Sequence, residues 1–178
     1  MGKYASQKTK SNLLIPVLLV ITVIAICVTV WALFFRDTGP VLAPDYAPQE
    51  EEQNAETIPG DQEEKLDNPE GGGSVSLTYS RDVEISLSGN TASLYFANPG
   101  KSNQDMVLQI VIQDQVIVQS GTLKPGNQVT TLSLIDGMAK KLSAGTYEGN
   151  FAVLYYHPET GEKAIVNTEI PVMITVTN

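Results

Sequence analysis

The chain divides into three stretches that differ in their pattern of apolar and polar positions. Residues 13–35 are apolar and carry no charge. Residues 36–73 are mostly polar, and residues 74–178 hold short β-branched runs separated by turn residues. These patterns predict, in order, a long apolar helix, a linker and an all-β domain.

The uncharged stretch 13–35 is interrupted only by Pro16, Thr22 and Thr29. As a helix it would extend roughly 35 Å, enough to cross a hydrocarbon core of about 30 Å. Pro16 falls in the first turn, where its missing N–H costs nothing. We therefore predict a transmembrane helix over residues 13–35.

The charges that flank this helix predict its orientation. Lys3, Lys8 and Lys10 precede it, whereas only Arg36 follows it before a run of acids. The positive-inside rule then makes residues 1–12 a basic cytoplasmic tail. We expect a single-pass protein of the cell membrane with its C-terminal domain outside the cytoplasm.

Two other interpretations of the apolar stretch fit less well. A cleavable signal peptide has a shorter apolar region and small residues before the cleavage site, which Val30-Trp31-Ala32-Leu33 does not offer. A lipoprotein would be acylated at Cys27, but Ile26 stands where a small residue is needed. We favour an uncleaved anchor in which Cys27 is an ordinary helix residue.

Residues 36–73 contain most of the acidic side chains, five prolines and a triple glycine. Such a composition predicts a disordered linker. Its acid run, Glu50 to Glu52, indicates solvation and charge repulsion, with a calcium-binding or partner-docking motif as the alternative. The net charge of −9 and the lack of a Lys/Arg cluster after residue 10 argue against nucleic acid as a partner.

The β-branched runs of residues 74–178 predict seven or eight antiparallel strands joined by turns rich in Gly, Pro and Asn. The runs are Val75–Tyr79, Val83–Leu87, Thr91–Ala97, Met106–Ile112, Val116–Gln119, Val129–Ile135, Tyr147–Tyr156, and Ala164–Thr177 with a break at Pro171. Apolar and polar residues alternate within them, so each strand has one buried side.

The last part of this domain contains Leu142–Gly149, the strand that follows it, the turn Pro158–Gly161 and the last strand. In these segments the chain resembles bacterial surface immunoglobulin-like modules. Asn98–Asn103 and Gln119–Gly126 are similar to segments of small membrane-anchored proteins of Gram-positive bacteria. Over residues 75–177 the resemblance implies an immunoglobulin-like antiparallel β-sandwich of seven to eight strands.

Two residues at the start of the longest strand have structural roles in this interpretation. In immunoglobulin-like sandwiches a tyrosine there bonds its hydroxyl back to the upstream backbone. We predict that Tyr147, which follows Gly145 in the opening turn, makes such a tyrosine corner.

The residue inventory offers no constellation for chemistry. The only histidine, His157, precedes Pro158 in a turn, and the only cysteine lies in the apolar stretch. Asp82 and Glu84 alternate on one strand, but a calcium site needs six to eight oxygens. We predict no enzyme activity, no cofactor and no metal.

Two surfaces are candidates for binding. Val107 and Val111 alternate on the face of their strand opposite the core; they are either a surface for a partner strand or part of a central strand covered on both sides. Tyr155 and Tyr156 are adjacent, so one ring points away from the core and could stack on a sugar. These features predict a membrane-anchored binding or assembly module with a protein partner near the outer membrane face. The alternative is a structural component of an envelope secretion or conjugative-transfer complex.

Overall fold

The computed structural model describes residues 14–34, 44–61, 63–68 and 72–178. The predicted basic tail, residues 1–12, and the first part of the predicted linker, residues 36–43, lie outside the described residues. The chain divides into two compact units, Met1–Thr38 and Gly39–Asn178.

The first unit contains one helix, α1, at Leu14–Phe34. Its side chains are described for residues 16–29, and all of these are exposed. The hydroxyls of Thr22 and Thr29 donate to carbonyls four residues earlier, at 2.9 and 2.8 Å, so the helix satisfies its own polar side chains. Within the part of the chain that the structure describes, no helix has the length and apolar character needed to cross a membrane.

The second unit is built mainly of β-structure. Its described residues form nine strands: β1 Glu56–Thr57, β2 Thr78–Tyr79, β3 Asp82–Ser86, β4 Thr91–Asn98, β5 Asp105–Ile112, β6 Gln115–Gln119, β7 Asn127–Ser133, β8 Gly145–Tyr156 and β9 Lys163–Thr177. A short 3-10 helix at Met138–Lys140 lies between β7 and β8.

All nine strands belong to one hydrogen-bonded sheet in the order β1-β7-β4-β3-β9-β8-β5-β6, with β2 paired to β4. The sheet curls on itself, because Val118 of β6 bridges Leu134 just after β7, and the Ile135 amide donates to the Ile117 carbonyl at 3.0 Å. The β-rich prediction is confirmed. The two separate sheets of an immunoglobulin-like sandwich are not confirmed, because the nine strands form one continuous hydrogen-bonded sheet.

Two details of pairing differ from the predicted antiparallel pattern. Strands β3 and β9 run parallel, with Asp82 opposite Met173 and Ser86 opposite Thr177. Strand β9 also continues through Pro171, where the sequence predicts a break. The pairing of β9 with β3 begins only at Met173, so at Pro171 one edge of β9 has no partner strand. The missing N–H of the proline therefore interrupts no hydrogen-bond ladder on that edge.

The concave side of the curled sheet encloses the inner core. Phe96 of β4 and Phe151 of β8 meet edge to face, with ring centroids 6.2 Å apart and planes at 84°. Alternate residues of the predicted strands supply the rest, as the period-two pattern requires. Its largest fully buried members include Ile85, Met106, Leu108, Ile110, Leu132 and Ile174.

The described residues of the predicted linker lie against residues 74–178, which we call the β-domain. We call residues 44–61 and 63–68 the strap. Its β1 pairs with β7, and the backbone of Glu50 and Glu52 bonds to Thr122 at 3.0 Å. Further along, the Leu66 amide donates to the Lys101 carbonyl at 2.8 Å. Backbone hydrogen bonds hold the strap on the β-domain, and every residue except proline can donate one whatever its apolar content.

Candidate functional site

The strap crosses the outer face of β5 and β8, opposite the inner core. Val107, Leu154 and Tyr156 project outward there and are completely or almost completely buried, with Ala47 of the strap packed on them. We call these four residues the outer cluster. The Tyr156 hydroxyl donates to the Pro44 carbonyl at 3.1 Å, and the Ala47 amide donates to the Gly161 carbonyl at 2.9 Å. The strap therefore completes a second, small apolar layer outside the sheet.

Two glycines of the β-domain allow the strap to approach closely. A Cβ on Gly121 would lie 2.8 Å from the Glu52 amide nitrogen and 2.9 Å from the Glu50 carbonyl oxygen. A Cβ on Gly100 would lie 2.9 Å from a carboxylate oxygen of Asp61. Both glycines also donate a backbone hydrogen bond to the strap. The Gly121 amide donates to the Glu52 carboxylate at 2.7 Å, and the Gly100 amide donates to the Asp61 carboxylate at 2.5 Å.

Beside the outer cluster the strap and the β-domain border a cleft around Asp105. One arm has a volume of about 420 Å³ and the other of about 570 Å³, and both are lined by Asp105, Lys124 and Pro158. We call the combined space the Asp105 cleft. The other walls include Tyr46, Pro48, Glu51, Lys65 and Pro125.

Asp105 is 7% exposed and lies on the same outward side of β5 as Val107. Among the described residues its carboxylate forms no hydrogen bond and no ion pair, and its oxygens keep access to the cleft. Burial raises the pKa of this carboxyl, and the positive charge of Lys124 opposes that rise. The cleft thus contains a largely buried acid without a hydrogen-bond partner among the described residues, and ionising this acid costs free energy.

The two nearby lysines are engaged elsewhere. The Lys124 ammonium forms an ion pair with the Glu51 carboxylate of the strap. The hydrogen bond within this pair raises the pKa of the Lys124 ammonium. The Lys65 ammonium donates to the Ser102 carbonyl at 2.7 Å. Both lysines act on Asp105 only through space.

Val107 and Val111 are not placed as an open surface for a partner strand. Strand β5 is paired with β8 on one side and with β6 on the other. Val107 is completely buried in the outer cluster. Val111 is half-buried and borders a separate cleft with Arg81 and Met173. Strand β5 is therefore an inner strand of the sheet, and its outer side is covered at Val107 and partly open at Val111.

At the start of β8 the Tyr147 hydroxyl donates to the Ser143 carbonyl at 2.9 Å, four residues upstream. Gly145 has a φ of +155°, which residues with a side chain rarely adopt. These contacts fix the entry of the chain into β8. Their role as the tyrosine corner of a sandwich stays a prediction, because the strands form one sheet.

The other candidate residues lie apart from one another. In the turn after β8, His157 Nδ1 accepts weak bonds from the amides of Glu159 and Thr160 at 3.3 and 3.4 Å. The Tyr155 ring faces the inner core, whereas Tyr156 points away from it beneath the strap, so neither ring is open for stacking. Within the described residues, no three His, Cys, Asp or Glu side chains are grouped to hold a metal.

Sequence reasoning did not identify the Asp105 cleft. Asp105 directly precedes the apolar run Met106–Ile112, and no neighbouring residue marks it as part of a site. The one local signal is Tyr156, because an apolar strand that alternates strictly would place a polar residue at that outward position. Apolar residues on both faces of β8 indicate a second layer of structure, and this layer is the strap.

No family model matches this chain, and no curated protein matches it significantly. Among solved structures it is similar to AggA, the major subunit of aggregative adherence fimbriae type I from Escherichia coli. The identity is 10%, the match covers 65% of this chain and 100% of that one, and the TM-score is 0.32. A likeness at this level carries no argument about function.

Proposed function

We propose that this chain is a membrane-tethered, non-catalytic module that binds a protein partner outside the cytoplasm. The observation that supports binding is the Asp105 cleft. It is a concave surface of a size typical of ligand sites, and it contains the largely buried Asp105, whose carboxylate forms no hydrogen bond or ion pair with the described residues. A partner that supplies a donor to Asp105 would remove the cost of that unpaired acid.

The membrane tether is proposed from the sequence. Its support is the uncharged stretch 13–35 and the excess of lysine before it. The absence of catalysis is also proposed from the sequence, which has a single histidine and a single cysteine.

Cross-linking of intact membranes that carry the full chain tests the binding proposal. We expect an adduct of higher mass that contains this chain and a partner protein. Two variants show whether the adduct depends on the cleft. Asp105→Asn changes the cleft itself, and Asp114→Asn is the matched control at an exposed acid in the β5–β6 turn. Monomer alone, over a range of cross-linker lengths, would contradict a binding or assembly role.

Orientation is tested separately with protease added to wall-free cells. We expect the β-domain to be removed and a membrane-bound fragment near residue 35 to remain. Complete protection of the β-domain in sealed cells, with digestion after permeabilisation, would place it in the cytoplasm instead.

A further inference from the structure

The Asp105 cleft has the features of a receptor for one positively charged side chain. Asp105 lies at the point shared by both arms, so a group entering from either side reaches the same carboxylate. The residue is 7% exposed, its carboxylate oxygens keep access to the cleft, and no described group donates a hydrogen bond to them. A buried carboxylate in this state is stabilised most by a donor that also carries a positive charge.

The walls of the cleft fit the aliphatic part of such a side chain. Pro158 borders both arms, whereas Pro48 of the strap borders the smaller arm and Pro125 borders the larger one, and each supplies rigid apolar surface. Tyr46 is 63% exposed at the edge of the cleft, and an aromatic face attracts a cation that passes over it. A long methylene chain that ends in a cation would contact both kinds of wall.

The charges around the cleft do not fill this role themselves. Lys124 is held by Glu51, and Lys65 is held by the Ser102 carbonyl, so the nearest cations already have partners. Over residues 44–178 the chain carries 19 acidic and 7 basic side chains, a net charge of −12. The field of the unit therefore steers basic rather than acidic partners towards it.

We propose that the Asp105 cleft binds a lysine side chain of the protein partner, with the ammonium on Asp105 and the methylenes against the prolines. This inference rests on the proposed binding function and names the chemistry of the partner's contact. Because Glu51 belongs to the strap and holds Lys124 by an ion pair, the strap is part of the binding site.

The test uses the full chain in a non-ionic detergent and a lysine probe without backbone charges, N-acetyl-lysine-N-methylamide. Calorimetric titration should give saturable binding with a dissociation constant on the order of 1 mM, as expected for a ligand of this size. The matched ligand, N-acetyl-norleucine-N-methylamide, has the same alkyl chain without the ammonium. It should bind at least tenfold more weakly.

On the protein side, Asp105→Asn should weaken binding of the lysine probe at least tenfold, because the charge is lost while shape is kept. The control Asp114→Asn changes the same chemistry in an exposed turn and should leave binding unchanged. Equal binding by wild type and Asp105→Asn would overturn the inference, as would equal binding of the norleucine probe or no saturable binding by wild type.

Lys124→Gln separates this inference from occupation of Asp105 by the chain's own lysine. We expect the probe to bind this variant at least as well as wild type, because a competing positive charge is removed. Binding that occurs only in Lys124→Gln would show that Lys124 fills the cleft, and would overturn the inference. If the membrane cross-link persists undiminished in Asp105→Asn, the lysine contact is wrong while the binding-module proposal stands.

Discussion

The inner core and the outer cluster are two apolar layers on opposite faces of the same sheet, and they are built differently. The inner core draws on strands from the whole β-domain, and each strand contributes alternate residues. The outer cluster has three fully buried side chains, Val107, Leu154 and Tyr156, and it is closed by a segment about a hundred residues earlier in the chain. The first layer follows from local patterns, whereas the second depends on one long-range contact.

This difference has an energetic consequence. Residues of the inner core are surrounded on all sides by the curled sheet, so their loss leaves a cavity that the fold cannot easily fill. Residues of the outer cluster are covered by a strap held through backbone bonds and few side chains, which can adjust or detach locally. We therefore expect changes in the inner core to unfold the domain, and changes at the strap to release the strap alone.

The largest effect is expected for Phe151→Ala, which removes a ring that packs on Phe96 in the inner core. The free energy of unfolding should fall by about 3–5 kcal/mol. The matched variant Leu154→Ala lies three residues along the same strand but faces the outer cluster, and it should cost only about 2 kcal/mol. Denaturant unfolding followed by circular dichroism measures both, and an equal loss would show that the two layers form one cooperative core.

Gly121→Ala should displace the strap while the sheet persists. Its Cβ would collide with the backbone of Glu50 and Glu52, which has less room to move than a side chain. We expect a loss of about 1–3 kcal/mol and faster amide exchange at residues 50–58. Gly89→Ala is the control, because a Cβ there meets only the flexible side chains of Ser86 and Thr91. Unchanged exchange in the strap of Gly121→Ala would contradict the close packing.

Tyr156→Phe should lower the free energy of unfolding by about 1 kcal/mol, since it removes the hydrogen bond to the Pro44 carbonyl. Burial raises the pKa of Tyr156 to about 12, from its ordinary value of 10. The contribution of the neutral hydroxyl is therefore complete below pH 10 and is lost as the pH rises through 12.

Alkaline titration of stability tests this linkage. The difference in free energy of unfolding between wild type and Tyr156→Phe should narrow above pH 10. Tyr46→Phe, which changes an exposed ring, should have the same unfolding free energy as wild type at each pH. A difference that is constant from pH 8 to 12 would mean that Tyr156 titrates alike in the folded and unfolded chains.

The smallest effect is expected for Lys124→Gln, which breaks the ion pair with Glu51. Both side chains are at least half exposed, so the loss of unfolding free energy should be smaller than that of Tyr156→Phe and should shrink as salt is added. Thermal unfolding at low and high ionic strength measures it. A larger loss that salt does not reduce would show that Lys124 is also paired with Asp105.

Much of the β-domain was predictable from its sequence. The runs of alternating residues located seven of the strands to within two residues, from β3 to β9, because alternation reports directly which side of a strand is buried. The order and direction in which the strands pair were harder to predict. Nothing local distinguishes the parallel neighbour of β3 from an antiparallel one, and the single continuous sheet results from the contact of Ile117 and Val118 with Leu134 and Ile135.

The candidate site was hidden for a related reason. Asp105 is an unremarkable acid in the sequence, and its burial comes from the strap, from Lys124 and from the turn at Pro158. Acids and prolines in residues 44–68 predict disorder because they lack apolar surface, but the strap bonds mainly through its backbone, which every residue carries.

By itself the sequence determined the helix α1, the β-rich nature of the second unit and the residues that form its inner core, since each depends on a period within one segment. Only the tertiary structure decided that the sheet is continuous and curled, that the strap lies on the outer face, and that Asp105 is buried without a partner. These features depend on contacts between residues far apart in the chain, and the free energy of such contacts leaves no periodic trace in either segment alone.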